Sequence, residues 1–195
     1  MPPNQADADS PTRHEWLIER LRESVRGVHF MASMAALGVT LILYPDTRLD
    51  GVLIWAAWIL VFNGLLGLTL LGPSAPRSWL RLYAPLHWAV CAGWGIVPVL
   101  FFPELSTAYQ STFVLVLVAA AVVSQPSMSY VPPLYWPGMI LILAPCTVML
   151  LTSGLPQLHS APLILAAFMV GAMVLLTVRM RQSHALYCEQ ADEAL

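Results

Sequence analysis

The chain has 195 residues, 58% of them hydrophobic and 10% charged, with a mean hydropathy of +0.70. A soluble domain is about half apolar and about a quarter charged, so lipid is the solvent that this composition suits. Nine basic against eleven acidic residues give a net charge of -2, which leaves no excess of positive charge for a run of phosphates and sets nucleic acid aside as a partner.

In chain order, residues 1–11 are rich in Pro, Asp and Ala and carry too little apolar surface to offset the entropy of ordering, so they are expected to be disordered. Residues 12–26 follow as an amphipathic helix. Thr12 and Glu15 have the spacing of a capping box, and Leu17, Leu21 and Val25 share one side while Glu19, Arg22, Glu23 and Arg26 share another. Such a helix either lies in the membrane interface, with Trp16 at headgroup level, or simply extends the first span. No apolar core of a secretory signal precedes it, so the first span acts as its own insertion signal.

Six apolar runs then follow, at 27–44, 51–72, 80–102, 108–126, 130–152 and 161–178, each close to the ~20 residues that cross a bilayer. The connections carry turn chemistry at Tyr44-Pro45-Asp46, Gly72 to Pro76, Phe102-Pro103-Glu104, Gln125-Pro126-Ser127 and Ser153 to Pro156, and are too short for an extramembrane domain. All the basic residues are Arg. Eight of them, at 13, 20, 22, 26, 77, 81, 179 and 181, fall on one side and only Arg48 opposite, which predicts a bacterial inner-membrane protein with both termini in the cytoplasm. After Val178, residues 179–195 form a polar helix-favouring stretch in which Met180, His184, Tyr187, Ala191 and Ala194 repeat at 4-3 spacing. That spacing reads as the start of a coiled-coil signalling helix leading to a cytoplasmic output module, and a coiled coil implies a homodimer.

Inside the runs there is no Asp, Glu or Lys, and Arg81 stands only at the edge of the third; ion-coupled transport and most intramembrane catalysis rely on such groups. HExxH, GxSxG and P-loop motifs are absent, so no catalytic residue is assigned. Cys91, Cys146 and Cys188 form no CxxC pair, and no disulfide framework or zinc site follows. His29 and His87 lie at similar depth; they are suited either to hydrogen bonds between helices, with no cofactor, or to ligating haem, or copper with help from Met31, Met34 or Cys91. Trp16, Trp55, Trp79 and Tyr83 read as an interfacial aromatic belt.

Prolines are the more pointed signal. Pro98 interrupts the third run and Pro132, Pro133, Pro137 and Pro145 load the fifth; each removes a backbone donor and frees a carbonyl, which lipid tolerates only where protein covers it or a cavity lies beside it. Counting depth at ~1.5 Å per residue puts Asn63, Cys91 and Trp94 near mid-membrane. His87, Trp88, Tyr135 and Trp136 fall in the cytoplasmic half. A ligand cavity is therefore expected between the second, third and fifth spans, bordered by these residues and Pro98, for a lipophilic acyl-like or quinone-like molecule.

Gly93-Trp94-Gly95 followed by Pro98-Val99-Leu100-Phe101-Phe102-Pro103, together with Leu143-Ala144-Pro145 and the exit helix from Arg179, resembles the six-span N-terminal sensory regions of bacterial histidine kinases and diguanylate cyclases, of the general membrane-associated sensor type. The resemblance covers about residues 80 to 195. It implies an input module that passes a hydrophobic or membrane-derived cue through its last helix to a kinase or cyclase output, most often a histidine kinase. The chain stops within helix-forming sequence, as if an output module followed, and His184 is not in a phosphoacceptor setting. The expected fold class is all-α: an integral membrane six-helix bundle with an amphipathic helix before it and a signalling-helix start after it. The rival readings are a facilitator or exporter without ion coupling, and a haem-binding or quinone-binding redox protein.

Overall fold

The computed structural model describes residues 12–43, 49–72, 75–154 and 160–195. The expected disorder of residues 1–11, the position of Arg48, and the turns at Tyr44-Pro45-Asp46, Pro73-Ser74 and Leu155-Pro156 lie outside the described residues. Among those described there are seven α-helices and no strand: α1 (Arg13–Ser24), α2 (Arg26–Leu43), α3 (Leu49–Thr69), α4 (Pro76–Phe101), α5 (Thr107–Met128), α6 (Pro132–Gly154) and α7 (Ser160–Ala194). The last six are long and apolar enough to cross a membrane.

Two of the boundaries that differ from expectation do so for proline reasons. α4 opens at Pro76, where the missing N–H is one that no helical carbonyl would have received. α5 runs through Pro126 to Met128 instead of turning there, because a proline in the last turn deletes a single bond. The chain reverses just beyond, with Ser129 N–H donating to the Gln125 carbonyl and Val131 N–H to that of Met128.

α4 is the central helix, packed between α3 on one side and α6 on the other. The reason is local. Gly93 and Gly95 are two residues apart, about 200° around the helix, so they open opposite faces. A Cβ on Gly93 would fall 2.7 Å from both Ile59 Cδ1 and Trp58 Cδ1 of α3. A Cβ on Gly95 would overlap the Leu141 carbonyl of α6 and meet Pro145 Cγ at 3.3 Å. That carbonyl is the one a residue at 145 would normally satisfy, and proline cannot donate to it. Gly95 thus lets the α4 backbone cover an acceptor that would otherwise face lipid, a close approach of the kind in which Cα–H groups contact oxygen.

α1 caps the Arg-rich end. Its capping box forms as read, with Thr12 N–H donating to Glu15 Oε2 at 3.1 Å and Glu15 N–H to Thr12 Oγ1 at 3.4 Å. Leu17, Ile18, Leu21 and Val25 are buried, but against the protein as well as at its edge: α1 contacts α4 and α7. Arg22 reaches the Leu70 carbonyl at 3.1 Å, Arg77 pairs with Glu15 at 3.5 Å, and Arg13 pairs with Asp192 at 3.5 Å. The last contact brings both ends of the described chain to the same face of the bundle.

α7 is 35 residues long, about 52 Å at 1.5 Å per residue, so its C-terminal part outruns a ~30 Å hydrocarbon core. The 4-3 stripe expected to be an open seam is instead largely covered by its own chain. Met180 and Ala191 are buried, His184 Nδ1 donates to the Ser129 carbonyl at 2.9 Å, Tyr187 stacks on Tyr130 with centroids 4.1 Å apart, and only Ala194 is exposed. Any apolar face that must be covered produces this spacing, whether the cover is a partner strand or another helix of the same molecule.

The Gly95 contact predicts an asymmetric glycine scan. Gly95→Ala should lower stability of the detergent-solubilised protein by about 1–3 kcal/mol, whereas Gly64→Ala, where nothing lies within 4 Å, should be neutral by the same thermal unfolding assay. The capping box predicts a pH effect. Hydrogen bonds from the Thr12 backbone and then its hydroxyl hold the Glu15 carboxyl below its ordinary range, so its support of α1 is full above that range and is lost as pH falls through the depressed value. Hydrogen exchange should rise in α1 on acidification below pH ~4 while the apolar helices stay protected; exchange unchanged in α1 would contradict it.

Candidate functional site

A stripe of polar groups runs along one face of α4. Tyr83, His87, Cys91 and Gly95 recur every four residues and so share a face. Tyr83 is fully buried; its hydroxyl lies 3.2 Å from His29 Nε2 of α2, and its ring stacks on His87 with centroids 5.7 Å apart. His87 Nε2 lies 3.5 Å from Cys91 Sγ. Gly138 of α6 completes the contact, for a Cβ there would meet His87 Nε2 at 3.1 Å and Cys91 Sγ at 3.2 Å.

His87, Cys91 and Gly138 border a void of about 10 Å³ lined also by Ala121, Ser124, Met128, Tyr135, Met139 and Ile142. That is room for about one water. Tyr135 is 3% exposed and its hydroxyl has no hydrogen-bond partner.

The residues expected around a single cavity thus divide into groups. His87, Cys91 and Tyr135 meet at the void between α4, α5 and α6. Asn63 sits on α3, its amide beside His29, with Nδ2 donating to the Ile59 carbonyl at 3.0 Å and Oδ1 unpartnered. Trp94 packs edge-on against Trp55 of α3 with centroids 5.3 Å apart. Trp88 donates to the Leu134 carbonyl of α6 at 3.1 Å, Trp136 meets Tyr135 edge-on, and Pro98 is buried within α4. The Tyr83 ring contacts both His29 and His87, with centroids 5.6 and 5.7 Å away. Met31 and Met34 are 61% and 50% exposed, on the outside of the bundle and away from the void. Among the described residues, no three His, Cys, Asp or Glu side chains converge as a metal site.

Sequence reasoning missed where the larger spaces are. A groove of about 470 Å³ runs between α3 and α4, lined by Ile54, Trp55, Trp58, Gly93, Ile96 and Leu100, and one of about 480 Å³ runs between α4 and α6 along Leu141, Ala144 and Pro145. Both are apolar. Trp55 and Trp58 donate their indole N–H groups to the Gly93 carbonyl at 2.8 Å and the Ala89 carbonyl at 3.0 Å. Trp55, Trp79 and Tyr83 are 3% exposed or less, so these three pack inside the bundle and do not form a belt. The signal was present in Gly93, whose missing side chain admits Trp58. A third cavity, of about 460 Å³, lies at the Arg-rich end between α1, the α5–α6 turn and α7, where Arg13, His14, Tyr130, His184 and Cys188 line it.

Six long apolar helices around a closed polar interior suggest a multi-pass membrane protein. No protein-family model matches the chain, and no curated protein or solved structure shows significant similarity to it.

The two buried tyrosines predict opposite responses. Tyr83→Phe removes the partner of buried His29 and should cost about 1–3 kcal/mol. Tyr135→Phe removes a hydroxyl with no partner and should leave stability unchanged or raise it; equal losses for the two in thermal unfolding would contradict the hydrogen-bond assignment.

Proposed function

We propose that the chain is a membrane-embedded sensory input module of a bacterial signalling protein, in the inner membrane with its Arg-rich end in the cytoplasm, detecting a lipophilic or membrane-derived cue. The observation that carries this reading is α7, one unbroken helix whose apolar half packs on α5 and α6 and whose polar half packs on α1 and the α5–α6 turn. Any change in how the apolar helices pack is therefore delivered to the far end of α7 without a flexible joint.

In this reading the cue occupies the α3–α4 groove, whose volume lies within the 300–1,000 Å³ common for small-molecule pockets, and not the void beside His87. Trp55 and Trp58 form its wall and hold α4 through two carbonyls, so an occupant pressing on the indoles moves the helix that α6 and α1 rest on. Release of α7 from α1 and from the α5–α6 turn would free the 4-3 stripe for a second copy of the chain, giving the homodimer that a histidine kinase or diguanylate cyclase output requires. No catalytic step and no cofactor enters this reading.

The reading is tested by crosslinking Arg13→Cys to native Cys188 with a flexible bis-maleimide reagent, across the α1–α7 contact that the Arg13–Asp192 ion pair marks. In vesicles of ordinary thickness the pair should crosslink readily. Thinner bilayers or an added quinone-like amphiphile should reduce the yield, and Trp58→Ala should remove that response. A yield indifferent to every lipid and amphiphile would reject α7 as a signal-bearing element.

A further inference from the structure

We infer that the void between α4, α5 and α6 is a Cu(I) site, with His87 and Cys91 as its principal ligands and Met128 and Met139 supplying thioether donors. It stands independently of the sensory reading.

The donor set is the first argument. One imidazole, one thiol and two methionines border a single space of about 10 Å³, and soft sulfur with imidazole is the combination that selects Cu(I) over the hard divalent ions. Spacing is the second. His87 and Cys91 are one helical turn apart and in hydrogen-bond contact, Nε2 to Sγ 3.5 Å; His184 and Cys188 show the same separation, and what sets the buried pair apart is the two methionines beside it. An ion bonded to nitrogen at about 2.0 Å and to thiolate at about 2.3 Å in tetrahedral geometry sets its two ligands at about that separation. The ion is smaller than the water the void accommodates.

Charge is the third argument and the one that excludes rivals. No Asp, Glu or Lys lies in the described membrane-suited stretches around the void, and an uncompensated charge in such an interior is costly. Binding breaks the Cys91 S–H bond and forms a sulfur–copper bond, with the proton released to solvent. Thiolate and Cu(I) then sum to zero, whereas Zn²⁺ or Cu²⁺ would leave a positive charge with nothing to balance it. The Tyr135 hydroxyl, 3% exposed, at the void and without a partner, has in a bound thiolate the acceptor it otherwise lacks.

The test is anaerobic titration of the purified full chain in detergent with Cu(I), in competition with a chromophoric Cu(I) chelator. One equivalent should bind per chain, with one proton released, so that affinity falls about tenfold per pH unit of acidification. Cys91→Ser and His87→Ala should each weaken binding at least about tenfold. Because these two border a tight contact with Gly138 and can perturb folding, Met128→Leu and Met139→Leu, which keep volume, are the second arm. Each should weaken binding measurably in a protein with wild-type unfolding temperature, and X-ray absorption of the wild type should show sulfur with one nitrogen donor. Absence of stoichiometric binding, binding retained in Cys91→Ser, or binding lost in Cys188→Ser would each overturn the site.

Discussion

The close approach of Gly95 to the Leu141 carbonyl is the contact on which the rest of the bundle depends. Pro145 takes away the donor that this carbonyl would have had within α6, and in an apolar surrounding an uncovered carbonyl costs several kcal/mol. Covering it requires a helix with no side chain at the point of contact, and Gly95 supplies one. Once α4 is held this close to α6, the stripe of Tyr83, His87 and Cys91 on the same face has nowhere to point but into the interior, while Gly93 on the opposite face draws in Trp58 and Ile59 of α3. One proline and two glycines thereby decide which polar groups are inside and which groove stays open outside.

How much of this was legible in the sequence depends on what each kind of reasoning measures. Run length and hydropathy report whether a segment can cross a membrane, and each of the six apolar runs falls for the most part on a helix suited to crossing. Counting residues from a span end gives height along the helix axis and nothing about rotation. Asn63, Cys91 and Trp94 share a height, yet Cys91 faces α6 while Trp94 packs on Trp55 of α3. The same limitation applies to the aromatic belt, since Trp55, Trp79 and Tyr83 have belt-like heights but point inward. The 4-3 stripe of α7 is a different case: spacing identifies a face that must be covered, and within this chain α1 and the α5–α6 turn lie against it.

The buried groups also show how a charge-free interior remains polar. Tyr83 and His29 satisfy each other, Trp55, Trp58 and Trp88 donate to carbonyls of a neighbouring helix, and Thr147 and Thr40 return their hydroxyls to their own helix. Among the described residues, three buried side-chain atoms stand outside this accounting: Asn63 Oδ1, Trp79 Nε1 and the Tyr135 hydroxyl. They are not scattered. Trp79 packs on Tyr83, Asn63 lies beside His29, and Tyr135 borders the void with His87, so all three surround the one polar seam that runs along α4.

That seam and the α3–α4 groove are separated by the thickness of a single helix. An occupant of the groove bears on α4 through Trp55 and Trp58, and an occupant of the void bears on it through His87 and Cys91. Two sites that share no residue can still be coupled when each favours one position of the same rigid element, and the coupling is reciprocal. α4 is such an element, held on both faces by contacts that leave no room for a methyl group. Tight packing of this kind resists gradual deformation, so a displacement of α4 has to move α6 with it, and α6 is the helix against which α7 makes its most extensive contact.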